Sequence, residues 1–235
     1  MKILSFESTA KIASCAVTDG ERLLASYSIN NGLTQSELLM PMAESIMSCL
    51  KLGYDELDAL ACSVGPGSFT GVRIGAALVK GIAFMRDIPC ISVSTLEALA
   101  ENLFGTEGII VPVMDARRGQ VYTAIFKYEG GAMVRVTEDM AISTSDLLDR
   151  LANTEGSVYL VGDGYEVARR ALLSLGERLK ETPPALIEES AYSVARVAAR
   201  RLARGECDTD LTLMPTYLRV PQAERERLEK NKNNT

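Results

Sequence analysis

Apolar runs separated by turn residues occupy the first thirty positions. Ile3–Phe6 is apolar, Glu7-Ser8-Thr9 interrupts it, Ile12–Val17 is a second run, and Leu23–Ile29 follows Asp19-Gly20. Short runs bounded in this way predict strands, and Asp-Gly between two of them predicts a hairpin. From Gln35 to Leu50 the spacing becomes that of an amphipathic helix, with Thr34 and Glu37 placed as a capping box. Pro41 lies inside it and is expected to remove a hydrogen bond and kink the helix. Leu57–Val64 predicts a buried strand, Gly65–Gly71 a loop, Val72–Arg86 a helix, Cys90–Val93 a strand and Thr95–Asn102 a helix.

The second part repeats this alternation loosely. Ile109–Met114 predicts a strand, and Val121–Tyr128 with Met133–Val136 a hairpin about Gly130-Gly131. Ser143–Asn153 predicts a helix, Val158–Val161 a strand, and Tyr165–Leu175 and Ser190–Arg204 two more helices. Three hairpin strands followed by helix, strand, helix, strand is the order of a ribonuclease-H-like half-domain. The expected architecture is therefore α/β with mixed sheets. It divides into a first half at 1–104, a degenerate second half at 105–204, and a C-terminal segment with a flexible tail at 205–235. Gln222–Thr235, charged and then rich in Asn and Lys, is expected to fray from a short helix into disorder.

Composition narrows the chemistry. There is no histidine among the 235 residues, which excludes Ser-His-Asp and Cys-His nucleophile pairs and HExxH metal sites. A net charge of −6 repels a phosphate backbone on average, so any nucleic-acid contact needs a local basic patch or a basic partner. Cys15, Cys49, Cys62, Cys90 and Cys207 form no CxxC pair and read as reduced, buried thiols, with no metal site. With no signal-peptide core and no long apolar stretch, the expectation is a cytoplasmic protein that does not cross a membrane.

Three features are candidates for function. Gly65-Pro66-Gly67-Ser68-Phe69-Thr70-Gly71 leads from a strand into a helix, with Arg73 and Lys80 nearby. It matches neither a P-loop nor a dinucleotide fingerprint, so an anion site and a tight strand-to-helix turn both stand. The helix at 72–86 is apolar around most of its circumference, with small residues at Gly71, Gly75, Ala77 and Gly81, and helix 35–50 carries Met40, Met42 and Met47. A partner interface and an ordinary core both account for that. Glu7, Asp115 and Asp163 stand at strand ends or turns, where acids serve as general bases, hold hydrated Mg²⁺, or form turns.

Several ordered motifs resemble the bacterial TsaB (YeaZ) family. They are Met1–Leu4 leading into Glu7-Ser8-Thr9, Gln35–Pro41, Gly65–Gly75, Asp115-Ala116-Arg117-Arg118-Gly119-Gln120-Val121-Tyr122, and Pro215–Arg219. The resemblance implies two ribonuclease-H-like half-domains of the actin, hexokinase and heat-shock-chaperone ATPase superfamily. It also implies a non-catalytic role, activating the transferase TsaD in forming N6-threonylcarbamoyladenosine at position 37 of tRNAs that read A-starting codons. The implied partners are TsaD, the ATPase TsaE and a second copy of the chain, with tRNA met indirectly through the complex. No cofactor of its own is implied, with ATP or ADP a candidate at the interface with TsaD.

On that reading Leu39, Met42, Ile46, Leu50, Ile74, Leu78, Ile82 and Met85 are the expected partner or dimer interface. Gly65, Gly67, Ser68, Thr70, Gly71 and Arg73 are the expected contacts to a phosphate or nucleotide. No catalytic or metal residue is expected. Where TsaD relatives carry HxxxH this chain reads Thr95-Leu96-Glu97-Ala98-Leu99, which offers no imidazole. Gln35 stands where family members usually have His, and Glu7 where Asp is common. The rival expectations are an ATP-dependent small-molecule kinase of the same superfamily and, behind it, a metallopeptidase.

Overall fold

The computed structural model describes residues 1–84 and 86–219. The first sheet contains β1 (Lys2–Glu7), β2 (Ala13–Asp19), β3 (Arg22–Ile29), β4 (Ala59–Ser63) and β5 (Cys90–Val93), in the order β3-β2-β1-β4-β5. The first three strands pair antiparallel, and β4 and β5 join parallel to β1. Every residue of β4 and all but the first of β1 are buried, because both faces of this sheet are covered. The predicted Asp-Gly turn is present, with Gly20 at φ 58°.

The second sheet contains β6 (Ile109–Asp115), β7 (Gln120–Thr123), β8 (Phe126–Glu129), β9 (Ala132–Arg135), β10 (Met140–Ser143), β11 (Val158–Val161) and β12 (Leu179–Lys180). Its order is β10-β7-β6-β11-β12, with β8 pairing β6 and β9. The single strand predicted over Val121–Tyr128 is thus two. β7 pairs with Val113–Asp115 and β8 with Ile109–Ile110, and the chain bends at Ala124–Ile125, where the Ile125 N–H donates to Thr137 Oγ1 at 2.9 Å. Strands β10 and β12, of four and two residues, have too little pattern to announce themselves.

Six α-helices complete the fold: α1 (Gln35–Leu50), α2 (Phe69–Ala83), α3 (Thr95–Glu101), α4 (Thr144–Ala152), α5 (Tyr165–Ala171) and α6 (Ala191–Ala203). The Glu37 carboxylate accepts from the Thr34 N–H at 3.1 Å and from its hydroxyl at 2.7 Å, tying down the start of α1. The helix continues through Pro41, which sits on its exposed side. Helix α2 begins three residues earlier than predicted because Ser68 caps it, its hydroxyl accepting from the Gly71 N–H at 3.3 Å. Helix α5 stops at Ala171 and gives way to a 3₁₀ stretch, Leu173–Arg178, with Gly176 at φ 58°.

Helices α1 and α2 cover one face of the first sheet through Leu39, Met42, Ile46, Ala76, Val79 and Ile82. Its other face is covered by α6, where Val194, Val197 and Ala198 meet Ile3, Ala61 and Ile91. Helices α4 and α5 cover one face of the second sheet through Leu147, Leu151 and Ala168. The remaining face is covered by α3, where Leu96, Leu99 and Leu103 meet Ile110, Met114 and Phe126. The helices are therefore exchanged. α3 lies within the 1–104 segment yet packs on the second sheet, and α6 lies within 105–204 yet packs on the first.

The expected division of the chain by halves needs that correction. The part of the C-terminal segment described also packs on the first half. Leu213 is buried there, Asp208 bridges to Cys90, and the Thr216 N–H donates to the Val64 carbonyl at 2.7 Å. The tail expected over Gln222–Thr235 lies outside the described residues.

Where the exchanged helices touch, charge joins them. Glu101 on α3 is buried and pairs with Arg196 at 3.5 Å and with Arg200, both on α6. One turn earlier Glu97 pairs with Arg201 at 2.5 Å, and the Arg201 guanidinium also donates to the Ser92 carbonyl. Arg135 on β9 reaches Glu97 at 4.0 Å and also pairs with Asp139. Burial raises the Glu101 carboxyl above its ordinary pKa, with Arg200 and Arg196 opposing the shift.

Candidate functional site

The loop after β4 lies against the β1–β2 turn. The Ser68 N–H donates to the Thr9 carbonyl at 2.6 Å, and the Ser8 hydroxyl donates to the Gly71 carbonyl at 2.8 Å. A Cβ at Gly67, whose φ is 156°, would lie 2.5 Å from the Thr9 carbonyl oxygen. One at Gly71 would collide with the Ser8 carbonyl oxygen. The glycines admit neighbouring protein backbone, and Gly65 abuts the Thr216 carbonyl in the same way.

Of the two readings open for this segment, its structure is that of a tight strand-to-helix turn. On the Cβ side of Gly65, Gly67 and Gly71 protein backbone occupies the space, and Ser68 is used as the helix cap. Thr70 is exposed. Arg73 is exposed too, and its guanidinium stacks 3.7 Å from the Phe69 ring centroid and donates to the Tyr217 hydroxyl at 2.9 Å.

Glu7 is buried at the end of β1. One carboxylate oxygen accepts from the Thr9 N–H at 2.7 Å and the Thr9 hydroxyl at 2.6 Å; the other accepts from the Ser63 hydroxyl. Burial raises its pKa, and these hydrogen bonds oppose the rise. The carboxylate holds a turn and a neighbouring strand together. Asp115 accepts from the Arg117 N–H at 2.7 Å, and Asp163 accepts from the Asp115 N–H at 3.0 Å. Two of the three predicted acids are thereby joined, both as turn formers.

Sequence reading missed Glu189. It sits just before α6, 3% exposed, and accepts from the Asp163 N–H at 3.3 Å with one oxygen. The other oxygen is buried without a hydrogen-bond partner. Burial, then the charges of Asp163 and Glu7, push its carboxyl well above the ordinary value of 4.5. In the sequence it is one of two glutamates ahead of a helix, where acids are commonplace.

Because the folded protein holds the Glu189 proton more tightly than the unfolded chain, this stabilisation is complete below about pH 4.5. It is lost as pH rises through the folded pKa. Glu189→Gln is expected to flatten that slope and to raise stability at pH 8 by about 1–3 kcal/mol. Urea titrations of both proteins from mildly acidic to alkaline pH measure it; equal slopes count against the assignment.

The predicted interface residues divide. Leu39, Met42, Ile46 and Ile82 are buried in the monomer and belong to the core, because the apolar stripes of α1 and α2 face the sheet. Leu50, Ile74 and Leu78 are half-buried beside it, and Met85 lies outside the described residues. The outward side of α2 instead presents Arg73, Ala77 and Gly81, with Phe84 just past its end at 62% exposure. A Cβ at Gly81 would meet nothing within 4 Å. Thr95 and Leu99 are both buried in the packing of α3. Gln35 donates to the Ala10 carbonyl at 2.7 Å. Among the described residues no three His, Cys, Asp or Glu side chains are grouped to hold a metal ion, and no helix is long and apolar enough to cross a membrane.

Residues 34–226 match the family model described as TsaD, tRNA N6-adenosine threonylcarbamoyltransferase. The tRNA threonylcarbamoyladenosine biosynthesis protein TsaB of Bacillus subtilis (strain 168) is 29% identical over 99% of this chain and its own full length. The TsaB of Buchnera aphidicola subsp. Acyrthosiphon pisum is 34% identical over 70% of this chain and 76% of that protein. The chain belongs to the TsaB (YeaZ) family. YeaZ from Pseudomonas aeruginosa, 23% identical, superposes with a TM-score of 0.74 over 92% of this chain and 99% of that one, so the fold is shared as well. The expected α/β class is borne out, with two mixed sheets in a chain that shares the YeaZ fold.

Proposed function

We propose that this chain serves tRNA threonylcarbamoyladenosine formation as a non-catalytic subunit that binds the transferase TsaD and activates it. The observation that carries the proposal is the commitment of the candidate catalytic groups to structure. Glu7 is engaged on both oxygens, Ser68 caps a helix, and the loop glycines are filled by backbone. What supports docking is the outward side of α2, where Ala77 and Gly81 leave a shallow track beside Phe84 and half-buried Ile74 and Leu78. Small residues on an exposed helix allow a second helix to approach closely, and an apolar end point suits a partner. The same side is proposed to pair two copies of the chain, in competition with TsaD by mass action. TsaE is assigned to the assembled complex.

The deciding experiment is reconstitution of tRNA modification from TsaD, TsaE, threonylcarbamoyl-AMP and tRNA, with and without this chain. Equal product yield in both refutes the proposal. Ala77→Glu is expected to leave folding stability within about 0.5 kcal/mol, since the site is exposed. The carboxylate would be buried unpaired on association, costing about 2–5 kcal/mol of binding to TsaD. Titration calorimetry with purified TsaD measures that loss, and undiminished binding moves the interface elsewhere.

A further inference from the structure

Four arginines gather where the C-terminal segment passes from the first half to the second. Arg73 on α2 donates to the Tyr217 hydroxyl, and the Tyr217 ring lies 4.8 Å from that of Phe69, on which Arg73 stacks. Two residues on, the Arg219 guanidinium donates to the Ala116 carbonyl at 3.4 Å and lies 5.5 Å from the Tyr122 ring centroid. Ala116 opens the β6–β7 turn, whose next residues are Arg117 and Arg118, both exposed. Arg73, Arg117, Arg118 and Arg219 have no ion-pair partner among the described residues. In a chain of net charge −6 this is a local concentration that composition does not account for.

The turn that carries two of them has an unusual backbone. Arg117 and Arg118 take φ of 65° and 56°, a region that residues with a side chain occupy at a cost, and Gly119 follows at 71°. The conformation is held from both ends. Asp115 accepts from the Arg117 N–H, the Gln120 N–H donates to the Arg117 carbonyl at 3.2 Å, and Arg219 takes the Ala116 carbonyl. Aromatic rings lie beside two of the cations, Tyr217 by Arg73 and Tyr122 by Arg219, with Tyr217 41% exposed and Tyr122 half-buried. Guanidinium groups interleaved with aromatic faces suit the phosphates and unstacked bases of a single strand. An acidic protein surface would use the charges and leave the rings idle.

We propose that Arg73, Arg117, Arg118 and Arg219, with Tyr217 and Tyr122, form a contact surface for a single-stranded segment of RNA. The choice of a tRNA loop as that segment rests on the proposed function; the RNA-binding surface itself does not. The contact adds a direct role to a subunit otherwise reading tRNA only through its partner. It also gives the C-terminal segment a task, that of carrying Tyr217 and Arg219 across both halves.

The test is fluorescence anisotropy of a labelled tRNA anticodon stem-loop titrated with the full-length chain, repeated between about 50 and 200 mM salt. Each single-strand phosphate contact contributes about −0.7 to the slope of log K against log salt, so Arg117→Gln/Arg118→Gln should lower its magnitude by about 1.4. The same pair is expected to weaken binding about tenfold at low salt, and Tyr217→Ala to weaken it with the slope unchanged. Both sets of side chains are at the surface, and unchanged thermal melts check that the variants fold. A wild-type slope in the double variant overturns the surface, as does displacement of the RNA by poly-glutamate at equal charge, which would assign the arginines to an acidic protein. The reconstitution above is run in parallel. Failure of the wild-type chain to stimulate modification counts against the proposed function, whereas stimulation with no arginine-dependent RNA binding counts against this surface.

Discussion

Glu101→Ala is expected to destabilise the protein by about 3–5 kcal/mol, the loss that follows when a buried charge pair is broken from one side. Glu101 has a fully buried side chain and faces two guanidinium groups, Arg196 and Arg200. Removing the carboxylate leaves both cations facing each other at the junction of α3 and α6, and one nitrogen of Arg200 is already buried without a partner. For a chain of this size each kcal/mol is worth about 2–4 °C, so a fall of about 6–20 °C in Tm is expected. Differential scanning calorimetry measures it. Glu101→Gln, which keeps the shape and loses the charge, should fall between the two proteins. A loss below 1 kcal/mol for the alanine variant would mean that the pairs are solvated and that packing alone holds the exchanged helices.

Gly71→Val is the second large effect, and it acts through space. The added carbon atoms point at the Ser8 carbonyl oxygen, a backbone atom that cannot rotate away, with the Ser68 Cβ at 3.4 Å on the other side. Accommodating them means separating α2 from the β1–β2 turn. That costs about 3 kcal/mol, the upper end of ordinary overpacking, and breaks the bond from the Ser8 hydroxyl to the Gly71 carbonyl. Gly81→Ala is the matched control on the same helix. Nothing lies within 4 Å of its Cβ, so relief of glycine's conformational entropy should stabilise the protein by about 0.5–1 kcal/mol. Urea titration of the pair measures both signs, and a Gly71→Val protein as stable as the parent would show that the Ser8 contact does not constrain this position.

Local periodicity made most elements legible before the structure was known. α1 spans the residues its apolar spacing marks, because an interior stripe and a Thr34–Glu37 cap agree about where it begins. Features set by distant contacts were not legible. Val121–Tyr128 reads as one strand because nothing local marks the bend at Ala124, which arises from pairing with two stretches of β6. The Gly65–Gly71 loop is recognisable as special, but whether its open space admits a phosphate or a protein carbonyl depends on Ser8 and Thr9, some sixty residues away.

For the same reason the apolar residues of α1 and α2 were read as a docking face when Leu39, Met42, Ile46 and Ile82 face the sheet. Helical spacing tells which residues share a side and not what covers it. Glu189 was invisible because its burial and the nearby charges of Asp163 and Glu7 arise only when distant parts of the chain come together.

The exchange of α3 and α6 has a consequence for synthesis. When β5 leaves the ribosome, the first sheet has all of its strands, yet Ile3, Ala61, Ile91 and Val93 still wait for α6 at 191–203. That helix is made about 100 residues later, an interval of about 5–20 s at ordinary elongation rates. During it the nascent chain displays an apolar sheet face to whatever is nearby. Full-length chain completes itself, whereas a product truncated near residue 104 never can, and its natural fate is capture by a chaperone or a protease.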